Sequence, residues 1–127
     1  MKKIAFLFMV LLTISACGTK KNLYKTSFNQ DMFECRGTEP FWAISMEPDA
    51  IIYSEPGTEK LYFPYQDPIE QEKGTLVFKT YIQEGNKSTR LQIILTKEEC
   101  SDGMSDTVYP YTAEVELDGK PLKGCAK

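Results

Sequence analysis

The chain contains no histidine. That absence removes the commonest general base, the usual activating partner of a Ser or Cys nucleophile, and the commonest metal ligand. A hydrolase would have to run on paired carboxylates. The acidic residues nearest to that description, Glu39, Asp102 and Asp106, sit in turn-forming sequence, where Asp and Glu are common for conformational reasons. No enzyme activity, metal or cofactor is expected on these grounds. Positive charge is also in short supply. Lys and Arg number 15 against 18 Asp and Glu, a net charge of −3, with no concentrated basic patch. Such a chain is a poor nucleic-acid binder. Helical periodicity is the third absence. Past the first 16 residues no window sustains it for more than about two turns, and only the polar stretch from Asp67 to Gly74 suggests a helical turn. There is no internal repeat, no low-complexity segment and no sign of a second domain. At 42% hydrophobic and 26% charged, the composition is that of one small globular domain.

The one long apolar run comes first. Lys2 and Lys3 precede a stretch from Ile4 to Ile14 that is broken only by Thr13. Its charge and length suit a signal peptide and fall short of a membrane-spanning helix. The run ends Ile14-Ser15-Ala16-Cys17, which resembles the lipobox of bacterial lipoproteins. There, small residues precede a cysteine that is lipidated and becomes the first residue of the mature chain. The resemblance implies a signal peptide over residues 1–16 and lipid attachment at Cys17. Acyl chains contribute ~0.8 kcal/mol per buried CH₂, so a protein carrying more than one chain is stably anchored. Loss of Lys2 and Lys3 leaves 13 basic against 18 acidic residues, or −5. Gly18, not Asp, follows Cys17, which resembles the default outer-membrane destination in many Gram-negative bacteria. Residues 17–31 read as the lipidated cysteine and a flexible tether with a typical reach of ~20 Å. Its Lys20 and Lys21 would lie near lipid headgroups.

From Met32 to the end, residues 32–127 read as a single β domain, because the period becomes two. Met32 to Arg36 and Ala50 to Ser54 are short strand candidates. Trp42, Ile44 and Met46 share one face of a strand. Leu61, Phe63 and Tyr65 share another, with Pro64 arguing for an edge position or a bulge. Leu76, Phe78, Thr80 and Ile82 alternate, as do Leu91, Ile93 and Leu95. Ala113 and Val115 point inward from a strand whose Thr112, Glu114 and Glu116 point out. Pro48-Asp49, Glu55 to Thr58 and Glu84 to Asn86 are turns by composition. Asp118-Gly119 is a two-residue type I′ hairpin signal. Seven or eight short strands at this spacing predict an all-β fold, a small antiparallel β-barrel or barrel-like sandwich.

The four cysteines divide as one plus three. With Cys17 taken by lipid, Cys35, Cys100 and Cys125 remain in an oxidising envelope compartment, where disulfides persist. The segment from Cys100 to Cys125 reads as loop, strand, turn and strand, which returns its end toward its start. Cys100–Cys125 is therefore the expected disulfide, worth ~3–3.5 kcal/mol in the chain-entropy model. Cys35 is then a free thiol, expected as a small buried hydrophobe, with a reactive or metal-binding role as the alternative. Asp102 and Asp106 around Gly103 have some look of a calcium loop. They lack its further spaced oxygen ligands and closing Glu, so a tight turn capped by Asp side chains is the expectation. Met46, Met104 and Cys35 are soft-metal donors, but no Met-x-x-Met or Cys-x-x-Cys spacing supports such a site.

Two segments exceed what turns and core require. In Glu39-Pro40-Phe41-Trp42, successive strand residues must send Phe41 and Trp42 to opposite faces, one to the core and one to a rim. Ser101 to Tyr111 combines proline, acidic residues and aromatics. Loops at one end of a small barrel lie close together. Glu39, Phe41, Asp102, Asp106 and Tyr109 are therefore the candidate binding surface, expected to meet at one rim. The alternative is that both segments cap the barrel end and serve the fold.

Gly37-Thr-Glu-Pro-Phe-Trp42, Cys100-Ser-Asp-Gly-Met-Ser-Asp106, Tyr109-Pro-Tyr111, Asp118-Gly119 and Gly124-Cys125 together resemble a family of bacterial envelope lipoproteins without an established activity. Its members often occur alone or beside META-type (HslJ-like) domains. The resemblance spans Met32 to Ala126. Members often carry a basic residue where Thr107 stands here. What the resemblance implies is the β fold and the envelope address. A looser likeness is to membrane-bound inhibitors of c-type lysozyme. Phe33-Glu-Cys35 resembles their Tyr-x-Cys start, while their Ser-Gly-x-x-Tyr loop is absent. The expected function is a non-catalytic binding or interaction module, monomeric and lipid-anchored at the outer membrane. Its partner would be an envelope protein or a cell-wall component. Inhibition of a cell-wall hydrolase such as c-type lysozyme is the alternative.

Overall fold

A computed structural model describes residues 32–127. The expected signal peptide, Cys17 and the expected tether through residue 31 lie outside the described residues. Period-two alternation can bury one side of a segment only if the segment is a strand, and strands are what form. They are β1 (Glu34–Thr38), β2 (Phe41–Met46), β3 (Ala50–Ser54), β4 (Leu61–Pro64), β5 (Ile69–Glu72), β6 (Thr75–Glu84), β7 (Lys87–Thr96), β8 (Cys100–Ser101), β9 (Val108–Tyr109), β10 (Tyr111–Leu117) and β11 (Lys120–Ala126). Nine of them make one sheet, in the order β4-β3-β2-β1-β11-β10-β7-β6-β5, while β8 and β9 pair only with each other. Every pairing is antiparallel.

The large sheet curls into a half-barrel around one core. Trp42, Ile44 and Met46 all point into it, as do Leu91, Ile93 and Leu95, none more than 3% exposed. Each such side chain contributes roughly 1.5–3 kcal/mol through burial. The curl brings β4 against β6. Thr80 Oγ1 donates to the Pro64 carbonyl at 2.7 Å, which satisfies the one buried polar side chain of β6. The Tyr65 and Phe78 rings meet edge-on at 6.4 Å across the same seam. Pro64 thus sits on an edge strand, where its missing N–H costs least. Phe33 fills the core beside the chain's first strand, edge-on to Phe78 at 6.1 Å and to Tyr111 at 5.2 Å. Reciprocal backbone bonds between Glu34 and Lys127, at 2.8 and 3.0 Å, tie the two ends of the described chain together.

The Asp118-Gly119 hairpin forms as its sequence demands. Asp118 has φ 50 and Gly119 φ 82, the two left-handed residues of a type I′ turn. Asp118 Oδ1 also accepts the Arg90 N–H at 2.9 Å, joining this turn to β7. Two sequence expectations need correction. Asp67 to Gly74 does not form a helical turn. It holds β5, a bulged edge strand on β6, and a turn at Gly74 with φ 85. The strand count among the described residues therefore rises from seven or eight to eleven, with β5 and the two-residue strands β8 and β9 added.

Candidate binding cleft

Small side chains opposite one another make the site. On the convex face of the sheet, Arg36 of β1 pairs with Ala43 of β2, and Ala43 pairs with Ser54 of β3. Ala43 and Ser54 leave a low floor between taller neighbours. Phe41 and Thr38, opposite each other at the end of β1 and β2, close one end. The floor, its two walls and the edge of Trp42 enclose an open cleft of about 640 Å³. One wall is Glu55 and Pro56, just past β3. The other is the β8–β9 ear, which contributes Asp102, Met104 and Tyr109.

The ear is held from outside the core. Cys100 at its base is bonded to Cys125 of β11, with Cα atoms 5.5 Å apart, the expected pairing. Cys125 faces away from the core, opposite Arg36 on β1. Within the ear, Asp102 organises the turn. Its Oδ1 accepts the N–H groups of Met104 at 2.9 Å and Ser105 at 3.0 Å. Tyr109 OH donates to its Oδ2 at 3.4 Å. The two backbone N–H groups, Met104 first, hold the Asp102 carboxyl below the usual carboxylate range. This is an Asx-type turn of the kind Asp favours, as the sequence led us to expect.

The five residues proposed for a shared rim fare differently. Phe41, Asp102 and Tyr109 line the cleft together. Phe41 is 55% exposed, while Trp42 beside it is 3% exposed, so the two do divide between surface and core. Tyr109 is 7% exposed and serves as a buried wall post more than a contact residue. Glu39 lies in the turn between β1 and β2, next to the cleft but outside its lining, and its peptide bond to Pro40 is cis. Asp106 is exposed on the ear and also outside the lining. The residues that sequence reasoning missed are Arg36, Thr38, Ala43, Ser54, Glu55 and Met104. Met104 is 68% exposed, the most of the large hydrophobic side chains exposed among the described residues.

The charged groups of the cleft are part-engaged. Arg36 reaches Glu34 at 3.5 Å, with both side chains half exposed, so the pair adds little to stability. Glu55 Oε2 accepts Tyr53 OH at 2.9 Å and lies 3.9 Å from Lys120 Nζ. Burial, followed by the Glu55 contact, pushes the Tyr53 phenol up to about 12. Cys35 lies in the core, not in the cleft. It is fully buried, and burial pushes its thiol up to about 12. A thiol so protonated is a poor nucleophile and a poor ligand. Among the described residues no group of three or more Cys, Asp or Glu side chains is placed to hold a metal ion.

No family model matches the chain, and neither a curated protein nor a solved structure matches it.

Proposed function

We propose that this domain is a binding module of the bacterial cell envelope, lipid-anchored through Cys17, and that the cleft on β1–β3 is where it takes its ligand. The observation that carries the reading is the cleft itself. It has the volume of a small-molecule site, and the exposed apolar side chains of Phe41 and Met104 both line it. The address rests on the lipobox-like Ile14-Ser15-Ala16-Cys17. Catalysis is not part of the reading, which follows the absence of histidine from the sequence.

A photo-crosslinking residue tests this without knowing the ligand. Benzoylphenylalanine inserts into C–H bonds of any chemical class. Placed at position 41 in the full-length protein within intact cells, it is expected to yield a discrete adduct. At Tyr81, an exposed aromatic on β6, it should yield none. Equal labelling at both positions, or none at Phe41, sinks the cleft reading. Inhibition of c-type lysozyme that survives Phe41→Ala would instead favour a hydrolase inhibitor acting through another surface.

A further inference from the structure

Building on the cleft reading, we propose that the ligand is a neutral saccharide, laid with the C–H face of a sugar ring against Phe41. The first argument is charge. The cleft carries Arg36 at its floor and the carboxylates Glu55 and Asp102 on opposite walls. An anion seated there would meet two carboxylates, and a cation would meet a guanidinium. Hydroxyl groups suit both signs, because each one donates and accepts. They donate to carboxylates and accept from the guanidinium, and such bonds are the stronger charge-assisted kind.

Spare bonding capacity is the second argument. Arg36 has five N–H donors and spends one on Glu34, at a long 3.5 Å. Glu55 uses Oε2 for Tyr53 OH, and its Oε1 has no bond among the described residues. Thr38 at the closed end and Ser54 on the floor add hydroxyls. The third argument is apolar. Phe41 at 55% and Met104 at 68% exposure face one opening from two sides. A sugar ring has an apolar face and a polar rim, so one ligand covers both side chains and still reaches the charged groups. The opening is a trough on the sheet surface rather than a closed chamber.

Titration calorimetry on the full-length lipidated protein in a sugar-free detergent tests this. The probes are chitotetraose, cellotetraose and maltotetraose, with inorganic phosphate and tetralysine beside them. At least one sugar should bind. Phe41→Ala should weaken it tenfold or more at an unchanged unfolding midpoint, and Arg36→Gln should weaken it as well. Tyr81→Ala should leave it unchanged. Phosphate or tetralysine binding that depends on Phe41, with no sugar bound, overturns the saccharide and leaves the cleft as the site. Sugar binding that ignores Phe41→Ala overturns the placement. Silence from all three sugars overturns the saccharide, whereas the crosslink at position 41 reports separately on the cleft.

Discussion

Two glycines explain how a single tryptophan lies flat inside the sheet. A Cβ on Gly37 would run into the Trp42 indole, and a Cβ on Gly124 would run into both that ring and the Arg36 carbonyl. Neither glycine needs a left-handed φ; each is a matter of space. The Trp42 Nε1–H beneath them is buried with no hydrogen-bond partner among the described residues, so packing holds the ring. Gly124→Ala should cost about 2–3 kcal/mol, because backbone and not a movable side chain must yield. Gly37→Ala should cost roughly 1–3 kcal/mol, because only the ring must move. Urea midpoints at constant slope measure both, and a loss under ~0.5 kcal/mol for Gly124→Ala would show that the sheet gives way freely. Asp102 supplies a pH effect of known sign. Its folded carboxyl sits below the usual 3.8. The turn it caps is therefore favoured above that value and loses this support as pH falls through the folded value. In an amide-resolved NMR titration, Met104 and Ser105 should move in this acid window while Ile93 in the core does not. A titration in which Ile93 moves first would remove Asp102 as the cause.

Elements that bury one face could be read from sequence, and elements that do not could not. The alternation of Trp42, Ile44 and Met46, and of Leu91, Ile93 and Leu95, marked β2 and β7 because each faces the core on one side only. Asp118-Gly119 marked its hairpin because only a few residue pairs tolerate two left-handed positions. All four residues of β5 are exposed, so its alternation records nothing. β8 and β9 are two residues each and owe their place to a covalent bond, which no periodicity encodes. The cleft was half legible. Phe41, Asp102 and Tyr109 stood out by type, but Ala43 and Ser54 matter only because register sets them side by side. The disulfide has a distinct element-scale role. Cys125 is outside the inner cluster that unites the core. Replacing Cys100 and Cys125 together with Ser should cost ~3 kcal/mol through the unfolded chain. Amide exchange should then quicken in the ear, from Ser101 to Tyr109, while the sheet stays protected. Loss of protection across β7 and β10 would mean that the bond holds the half-barrel itself together.

At the scale of the whole molecule, the start of the described chain lies at one end of β1, and the cleft is lined from Arg36 onward to the other. The described chain begins at Met32 and enters β1 at Glu34, where Lys127 also ends. β1 then runs to Thr38, which lines the cleft with Phe41. At ~3.3 Å per residue, a strand of this length sets the two ends roughly 13–16 Å apart. Among the described residues the cleft takes no lining residue from before Arg36. A tether leading back to Cys17 would therefore leave the sheet at the end away from the cleft, and ligand binding should be independent of anchoring. Cys17→Ser separates the two. The expected outcome is a protein that moves from the membrane pellet to the soluble fraction, or stays unprocessed. The unfolding midpoint of the β domain and its ligand affinity should stay within about twofold, which is under ~0.5 kcal/mol. A Cys17→Ser protein still processed and pelleting with the membrane would remove the lipid anchor. A soluble Cys17→Ser protein with tenfold weaker binding would show instead that the anchored end reaches the cleft.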